Sequence, residues 1–174
     1  FAEEGGGAYG GTLTNCTLSE NTAEYGGGAQ GGSMTNCILT GNTASWFGGG
    51  AYESTLTNCT VTGNSAGGSG GGMMECNSDN CIVWDNSAPE DANHCNSSFR
   101  FSCTSPLPTE GDGNISAEPR FVDAENGNYH LHTDSPCIDS GNNDVVQVET
   151  DLAGNPRISN ETVDMGAYER IFGR

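Results

Sequence analysis

Carboxylates in the C-terminal half are the side chains best suited to acid and base chemistry in this 174-residue chain. A glycoside hydrolase needs two carboxyl groups about 5 to 10 Å apart. The candidates for such a pair are Asp123, Asp134, Asp139, Asp144, Asp151 and Asp164. Aspartates beside turn residues also form turns, and Arg120 and Arg157 offer ion-pair partners. We therefore interpret these carboxylates as structural and keep a hydrolase site as the alternative.

The first half of the chain argues against a polysaccharide lyase. Such an enzyme uses a basic residue to abstract the proton next to a uronate carboxyl group. Residues 1–75 contain no His, Lys or Arg. The formal net charge of -18 would also repel a uronide. The sequence thus leans towards a protein that is not an enzyme.

Two groups of side chains near position 130 are of types that ligate metal ions. Asp123, Glu125 and Asn128 bring oxygen donors together, which is the ligand chemistry of calcium. Their spacing does not match the calcium-loop pattern D-x-[DN]-x-[DN]-G, so we predict a plain turn and keep calcium as the weaker alternative. His130 and His132 alternate along a predicted strand, where a solvated edge is commoner than a metal site. No other cofactor is expected.

The eight cysteines fall into two sets. Four recur at a fixed spacing, and we predict that they are buried thiols, because free cysteine is among the most buried residue types. These four are Cys16, Cys37, Cys59 and Cys81. The other four allow three disulfide connectivities, from which we choose Cys76 with Cys95 and Cys103 with Cys137. Zinc is the rival interpretation, and the spacing of Cys76 and Cys81 argues against it.

A repeat that fills residues 5–86 must position most of these side chains. The unit GGGAYGGTLTNCTLSENTA recurs as GGGAQGGSMTNCILTGNTA, GGGAYESTLTNCTVTGNSA and GGGMMECNSDNCIVWDNSA. Its Asn-Cys pair returns at intervals of 21, 22 and 22 residues. A second asparagine column consists of Asn21, Asn42, Asn64 and Asn86. Self-similarity at this period predicts stacked units that do not fold singly.

Alternation within each unit predicts a β-strand with one buried face. Cys16 and Leu18 alternate with Thr17, and the later units repeat this pattern. Glycine runs and Thr-rich segments favour short strands joined by tight turns. We therefore predict an all-β parallel β-helix with about four regular coils of 21–22 residues. Cysteines, together with Leu and Val, would form internal ladders, and asparagines would occupy the turns.

Three regions follow from where this pattern holds. Residues 1–87 are the regular coils. Residues 88–118 contain Pro89, Pro106, Pro108 and the turn GDGN, so we expect an irregular transition. Residues 119–174 regain strand patterns in PRFVD, NYHLH and VDMGAYER. We predict that this last region is a strand-rich cap of the same solenoid.

Two stretches resemble known surface proteins. GGGAY followed by LSEN, LTGN, VTGN and VWDN is similar to the GGA and FxxN repeats of chlamydial polymorphic outer-membrane proteins, which implies a right-handed β-helix. EPRFVDAENGNYHLHTDSPCIDSG and DLAGNPRISNETVDMGAYE resemble the choice-of-anchor Q region of bacterial surface proteins. That resemblance implies a segment that closes the β-helix before a cell-surface anchor. This chain stops at Ile171-Phe172-Gly173-Arg174 without a sorting motif or hydrophobic tail.

Charge and hydropathy disfavour several partners. The chain has no lysine and a net charge of -18, which argues against nucleic acid and anionic membrane surfaces. No apolar run reaches the roughly 18 residues of a membrane span. The chain starts at Phe1 and enters a coil at once, which we interpret as a processed segment. Its first coil would expose strand edges, to be covered by preceding coils, a partner or another copy.

Five N-x-[ST] triplets are acceptors for N-glycosylation if the source glycosylates secreted chains. They begin at Asn15, Asn58, Asn96, Asn114 and Asn160. Several such triplets arise by chance in a chain this rich in Asn, Ser and Thr, so they permit modification without requiring it.

The sequence as a whole predicts a secreted or cell-surface β-helix with a structural or adhesive role. Its expected partners are other copies of itself stacked end to end into filaments, or preceding β-helix coils, and surface glycans. The alternative is a β-helix that binds or processes carbohydrate through its C-terminal half. A cleft with two convergent acids would favour the alternative.

Overall fold

The computed structural model describes residues 2–171 as a parallel β-solenoid of about five turns, with stacked coils about 22 residues apart. This architecture confirms the predicted fold class and is consistent with a right-handed β-helix. The chain ends discussed above, Phe1 and residues 172–174, lie outside the described residues. The described part contains no helix long and apolar enough to cross a membrane.

Each of the first three coils contains four short strands. In the first coil they are β1 (Ala2–Glu4), β2 (Ala8–Tyr9), β3 (Thr12–Thr14) and β4 (Thr17–Ser19). In the second coil they are β5 (Thr22–Tyr25), β6 (Ala29–Gln30), β7 (Ser33–Thr35) and β8 (Ile38–Thr40). In the third coil they are β9 (Thr43–Phe47), β10 (Ala51–Tyr52), β11 (Thr55–Thr57) and β12 (Thr60–Thr62).

The fourth and fifth coils continue the stack. The fourth contains β13 (Ser65–Ala66), β14 (Met73–Met74), β15 (Asn77–Asp79) and β16 (Ile82–Trp84). The fifth contains β17 (His94–Cys95), β18 (Ser98–Arg100) and β19 (Cys103–Thr104). Corresponding strands pair in parallel from coil to coil, so that Leu56 lies between Met34 and Ser78. The four resulting sheets have the orders β1-β5-β9-β13, β2-β6-β10-β14-β17, β3-β7-β11-β15-β18 and β4-β8-β12-β16-β19.

The coil period changes from 21 to 22 residues at one corner. Ala23 pairs with Ala44, whereas two residues later Tyr25 pairs with Phe47, so β9 carries one extra residue as a bulge. The side chain of Trp46, inside this bulge, is mostly exposed. The other three sheets keep a continuous register through the same coils.

Left-handed backbone geometry makes the corners. Asn15, Asn36, Asn58 and Asn80 all have φ between 51° and 55°, a region that asparagine tolerates. Glycine is required at other corners, because a Cβ on Gly26 would lie 2.4 Å from the carbonyl oxygen of Ala29. The prediction that asparagine and glycine form the turns is confirmed. The enclosed core is thin, and Leu39, Leu56 and Val61 are among its fully buried side chains.

The expected irregular transition at 88–118 is in part a regular coil. The sequence did not predict its strands β17, β18 and β19, because other residue types occupy the positions of the repeat columns in this coil. Asn93 accepts the Asn86 N–H at 3.1 Å, although it lies only seven residues along the chain. Ser102 takes the next place in the cysteine column, where it accepts the Cys81 N–H at 3.0 Å. Residues 111–115 then return across the open side of this coil, where Phe101 N donates to Asp112 O.

Residues 119–171, which we call the strap, run along the side of the solenoid. They contain an antiparallel hairpin, β20 (Phe121–Asp123) and β21 (Asn128–Leu131), and two 3-10 helices, Ala124–Asn126 and Asn143–Val145. The third predicted strand, VDMGAYER, forms none, yet most of it is buried. The strap lies against the outer face of the β4-β8-β12-β16-β19 sheet, where Ala167 N donates to Thr60 Oγ1 at 3.1 Å. The region predicted to cap the solenoid therefore covers its side.

A second apolar core forms between the strap and the solenoid. Ile82 and Cys103 come from the outer face of the sheet, and Leu131, Cys137 and Met165 come from the strap. Outward residues of these strands are buried for this reason, although an isolated coil would expose them. Both faces of this sheet are therefore buried, the inner face in the solenoid core and the outer face under the strap.

Candidate functional site

A buried ionic cluster lies inside the strap. Its centre is Arg157, which is 1% exposed and whose Nη2 donates to the carbonyl oxygens of Asp164 at 2.7 Å and Gly166 at 2.8 Å. Glu169, Asp164 and Asp151 all stabilise its positive charge, while burial lowers the pKa of Arg157. The negative charges of Glu169, Asp164 and Asp151 offset part of the cost of burying this arginine, whose Nη2 hydrogen bonds are to backbone carbonyls.

The three carboxylates of the cluster bind backbone N–H groups from separate loops. Asp164 accepts from Asp139 N at 2.8 Å and from Arg170 N at 2.7 Å. Glu169 accepts from Ser159 N at 2.9 Å and from Asp164 N at 3.0 Å. Asp151 Oδ2 accepts from Glu169 N at 2.9 Å. These bonds tie together the segments of the strap in the absence of a regular sheet.

Burial also raises the pKa values of two carboxyl groups in this cluster towards neutrality. It raises the pKa of Asp164 to about 6 and that of Glu169 to about 7. Raised carboxyl pKa values are typical of catalytic acids, but these side chains are 1% and 2% exposed. A polysaccharide cannot reach them while the strap is in place. The geometry therefore supports the structural interpretation of Asp151 and Asp164.

The remaining hydrolase candidates are dispersed along the strap. Asp134 forms an exposed ion pair with Arg120 and a bond with His132 Nδ1, as the turn and ion-pair interpretation predicts. Asp139 accepts from Asn160 Nδ2 at 2.8 Å and is the one candidate beside Asp164. Asp144 belongs to the second 3-10 helix, and Asp123 precedes the first.

The calcium and histidine candidates have local partners. Asp123 accepts from Asn126 Nδ2 at 2.9 Å, and Asn128 accepts from the His130 N–H at 3.2 Å. Glu125 lies in the 3-10 turn between them, so the three form a hairpin turn. The His130 ring stacks on Tyr168 at 3.9 Å, whereas His132 bonds Asp134. Within residues 2–171 no group of three or more His, Cys, Asp or Glu side chains is arranged to hold a metal ion.

All eight cysteines lie in the described region as free thiols, with none at disulfide distance. The ladder prediction is confirmed for the buried thiols of Cys37, Cys59 and Cys81, since Cys37 N and Cys59 N each contact the sulfur of the next cysteine at 3.4 Å, whereas Cys16 is only partly buried. The predicted disulfides are not formed. Cys76 belongs to a second inward column, between Ser54 and Ser97, whereas Cys95 lies in β17 and is partly buried. The Cys103 thiol donates to Ala117 O at 3.1 Å, and Cys103 and Cys137 lie in the same apolar cluster.

The second asparagine column forms the predicted ladder. Asn21 Nδ2 donates to Asn42 Oδ1 at 3.0 Å, Asn42 to Asn64 at 2.9 Å, and Asn64 to Asn86 at 2.9 Å. The amides of Asn42, Asn64 and Asn86 also bind backbone, such as Asn64 Nδ2 to Leu39 O at 2.9 Å. The ladder therefore fixes the spacing of the coils from inside.

The first asparagine column has a role that sequence reasoning missed: it docks the strap. Asn36 Nδ2 donates to Thr150 O at 2.7 Å. Asn80 exchanges two bonds with Asn142, at 2.9 Å and 2.7 Å. Asn58, between them, is fully buried, so its side chain is not accessible for glycosylation in the folded chain. Its amide, like Arg157 Nε and Nη1, has no partner within residues 2–171, which suits buried water.

The other glycosylation candidates differ in access. Asn15 and Asn96 lie exposed at coil corners, and Asn160 is exposed on the strap. Asn114 is engaged by backbone, since its Nδ2 donates to Phe99 O at 2.9 Å and its Oδ1 accepts from Ser102 N at 3.1 Å. Exposed acceptors are therefore present on both parts of the molecule.

Two of the cavities in the described part of the chain are candidates for ligand binding. The larger, about 920 Å³, lies between the fifth coil and residues 106–111. It contains Asp91, Glu110 and the Asp79–Arg100 ion pair, in which Arg100 Nε lies 2.8 Å from Asp79 Oδ1. The smaller, about 290 Å³, is the Trp84 notch, which lies where the solenoid meets the strap. Its lining residues are Thr62, Trp84, Asp85, Glu118, Pro119, Phe121 and Ala124.

No family model matches the chain, and no curated protein matches its sequence. The resemblances to polymorphic outer-membrane proteins and to the choice-of-anchor Q region are therefore not supported by these comparisons. The fold and the geometry of individual sites carry the functional argument.

Proposed function

We propose that this protein is a secreted or cell-surface β-solenoid with a structural or adhesive role. The observation that carries the proposal is the open edge of its first coil. Among residues 2–171, β1, β2, β3 and β4 are each the end strand of their sheet. The core residues Ala8, Leu13 and Cys16 are only partly buried at this edge. Unpaired strand edges around an exposed apolar interior favour pairing with a further coil.

The two ends of the solenoid differ in this respect. At the fifth coil, residues 111–115 cover part of the edge, with Ile115 N donating to Ser102 O at 2.9 Å. The first coil therefore accepts either preceding coils of a longer chain or a second copy of this one. Growth into a filament would require the cover at the other end to open as well.

Native material examined by light scattering and negative-stain electron microscopy tests the assembly, with a reductant present to prevent chance crosslinks through Cys16. We expect concentration-dependent pairs joined at the first coil, or filaments with the coil spacing. Leu13→Glu places a charge in the partly buried interior and should abolish association. Val122→Glu, at an exposed site on the strap, is the matched control. Single particles at every concentration would contradict self-assembly and leave a rod that acts alone.

An extracellular location makes a further chemical prediction. We propose that the thiols of Cys103 and Cys137, which share one apolar cluster but are not at disulfide distance here, move together and are oxidised to a disulfide there, with an oxidant such as glutathione disulfide taking up the two hydrogens. The pairing would link the fifth coil to the strap. Differential alkylation and mass spectrometry of native protein should find this pair protected and Cys95 reactive. Carbohydrate at Asn15 or Asn96 would support secretion, and reduced Cys103 and Cys137 in native material would count against it.

The resemblance of residues 119–170 to anchor-proximal regions supports a place at the cell surface, which we include in the proposal. The strap would then be the part of the chain nearest the surface. Immunogold labelling of intact cells, compared with culture medium, tests this location. Signal confined to the cell interior would contradict it.

Carbohydrate binding is the second candidate, and the larger cavity favours it. Asp91, Glu110 and the Asp79–Arg100 pair give this cavity a net negative charge, so an uncharged oligosaccharide fits it better than a uronide. A glycan array with the intact protein tests this candidate. Retention of a neutral glycan that is lost in Arg100→Ala would support it, whereas identical profiles for both proteins would remove the cavity from consideration.

A further inference from the structure

The Trp84 notch is built from two distant parts of the chain. Thr62, Trp84 and Asp85 come from the third and fourth coils, whereas Pro119 and Phe121 come from the beginning of the strap. The cavity therefore exists only when the strap is docked. Its volume of about 290 Å³ suits one small organic group.

Aromatic surface and negative charge meet in this notch. The indole of Trp84 is partly buried, and the Phe121 ring is held in an edge-to-face contact with Tyr129 at 5.4 Å. Exposed carboxylates of Asp85 and Glu118 complete the lining, which contains no Arg, Lys or His. An anionic group would be repelled here, and an organic cation would be attracted both to the carboxylates and to the indole face.

The Thr62 side chain further limits which chemical groups would suit the notch. Thr62 is 4% exposed and lines the notch, and its hydroxyl makes no hydrogen bond within residues 2–171. The Thr62 hydroxyl is not among the fully buried unpaired atoms, so its oxygen is accessible in the notch, and a ligand that donates a hydrogen bond to Thr62 Oγ1 gains affinity. A primary ammonium has three N–H donors and meets this requirement, whereas a quaternary ammonium has none.

We propose that the Trp84 notch binds a primary alkylammonium group, supplied by a lysine side chain of a partner protein. Its charge would lie between Asp85 and Glu118, one N–H would point to Thr62, and its methylene groups would lie against Trp84 and Phe121. A second copy of residues 1–174 could not fill the notch with a lysine, because these residues contain none. The net charge of -18 would bring basic surfaces towards it. This inference goes beyond the structural role and does not depend on pairing of the first coil.

Tryptophan fluorescence tests the site directly. The chain has two tryptophans, so a Trp46→Phe variant leaves Trp84 as the single indole. This variant is titrated with Nα-acetyl-lysinamide and with Nα,Nε-diacetyl-lysinamide at constant ionic strength. We expect a saturable change with the first ligand and at least about tenfold weaker binding of the second, because acetylation removes the charge.

Matched variants locate the binding. Glu118→Gln in the same background should weaken binding of Nα-acetyl-lysinamide about fivefold to tenfold. Glu20→Gln, an exposed acid on the first coil, should leave it unchanged. Circular dichroism checks that each variant retains the fold of the parent.

Three results would overturn the proposal. The first is equal binding of the two lysine derivatives, which would show that charge is not recognised. The second is unchanged binding in a folded Glu118→Gln variant, which would place the interaction elsewhere. The third is glucose binding as tightly as Nα-acetyl-lysinamide, which would identify a sugar site. Failure of any assembly experiment leaves this titration unaffected, so the two proposals can fail separately.

Discussion

In the coils, each strand pairs with the corresponding strand of the next coil. The segments of the strap are instead held together by contacts that do not repeat. The coils repeat the same bonds, such as those of the Asn42 and Asn64 amides. The strap instead surrounds Arg157 with Asp164 and Glu169, whose carboxylates bind backbone from several loops. Repetition spreads stability over many equivalent interactions. The strap concentrates it in a few charged groups, so single substitutions should separate the two regions.

The largest expected effect is that of Arg157→Leu. Removing the buried cation leaves Glu169 and Asp164 without their counter-charge, which should lower the free energy of unfolding by about 3 to 5 kcal/mol. Hydrogen exchange should accelerate in the strap and stay slow in the coils. Arg120→Leu is the control, because its exposed pair with Asp134 contributes about 0 to 1 kcal/mol. Equal losses in both variants would contradict the concentration of stability at Arg157.

Asn64→Ala is the corresponding change in the coils. It removes bonds to Asn86, Leu39 and Asn42 and leaves buried partners unpaired. We expect a loss of about 2 to 3 kcal/mol in urea unfolding, with faster exchange in the neighbouring coils. Thr43→Ala changes an exposed hydroxyl on the adjacent strand and should cost less than about 1 kcal/mol. A similar small loss in both variants would mean that the ladder contributes little.

The pH dependence of unfolding should come mainly from the strap. The pKa values of Asp164 and Glu169 are raised to about 6 and about 7, so the folded state holds their protons more tightly than the unfolded chain does. Their stabilisation is complete below about pH 4 and is lost as pH rises through 6 and 7. Calorimetry between pH 4.5 and 8 should show this slope. An Asp164→Asn, Glu169→Gln double variant should flatten it, and an unchanged slope would assign the effect to other groups.

The smallest expected effect is that of Arg100→Ala on stability. Its ion pair with Asp79 has good geometry, but the Arg100 side chain is largely exposed on the fifth coil. We expect a change of at most about 1 kcal/mol, and a smaller one in high salt. Thermal unfolding at two salt concentrations measures it. A larger loss would show that the last coil depends on a single contact, as the strap does.

The sequence predicted the coils well because their information is local and repeated. The columns of Asn42 and Cys59 recur at a fixed interval, and each position needs only a match with its neighbours. The fifth coil escaped prediction because Asn93, Ser97 and Ser102 supply the same hydrogen bonds with different spacing or residue types. The hydrogen bonds of the ladder can be made by these other residues. A search for a repeated residue type at a fixed spacing therefore does not find the fifth coil.

The strap and the notch were beyond the sequence for a different reason. Asn36, Asn58 and Asn80 look alike in the repeat, and nothing local shows that a distant segment covers them. Arg157 looked like a surface ion-pair partner, and its burial depends on how the strap folds as a whole. The Trp84 notch joins positions about 35 residues apart along the chain, so neither segment contains the site alone.

The bulge at Trp46 has a consequence for how such a rod can vary in length. One coil gained a residue there while the columns of the other three sheets kept their alignment. This corner therefore tolerates extra residues, and we expect that a foreign peptide can be inserted there without disturbing the stack. Graft designs that begin between Ser45 and Trp46 would place the new sequence outward, on a rigid stem.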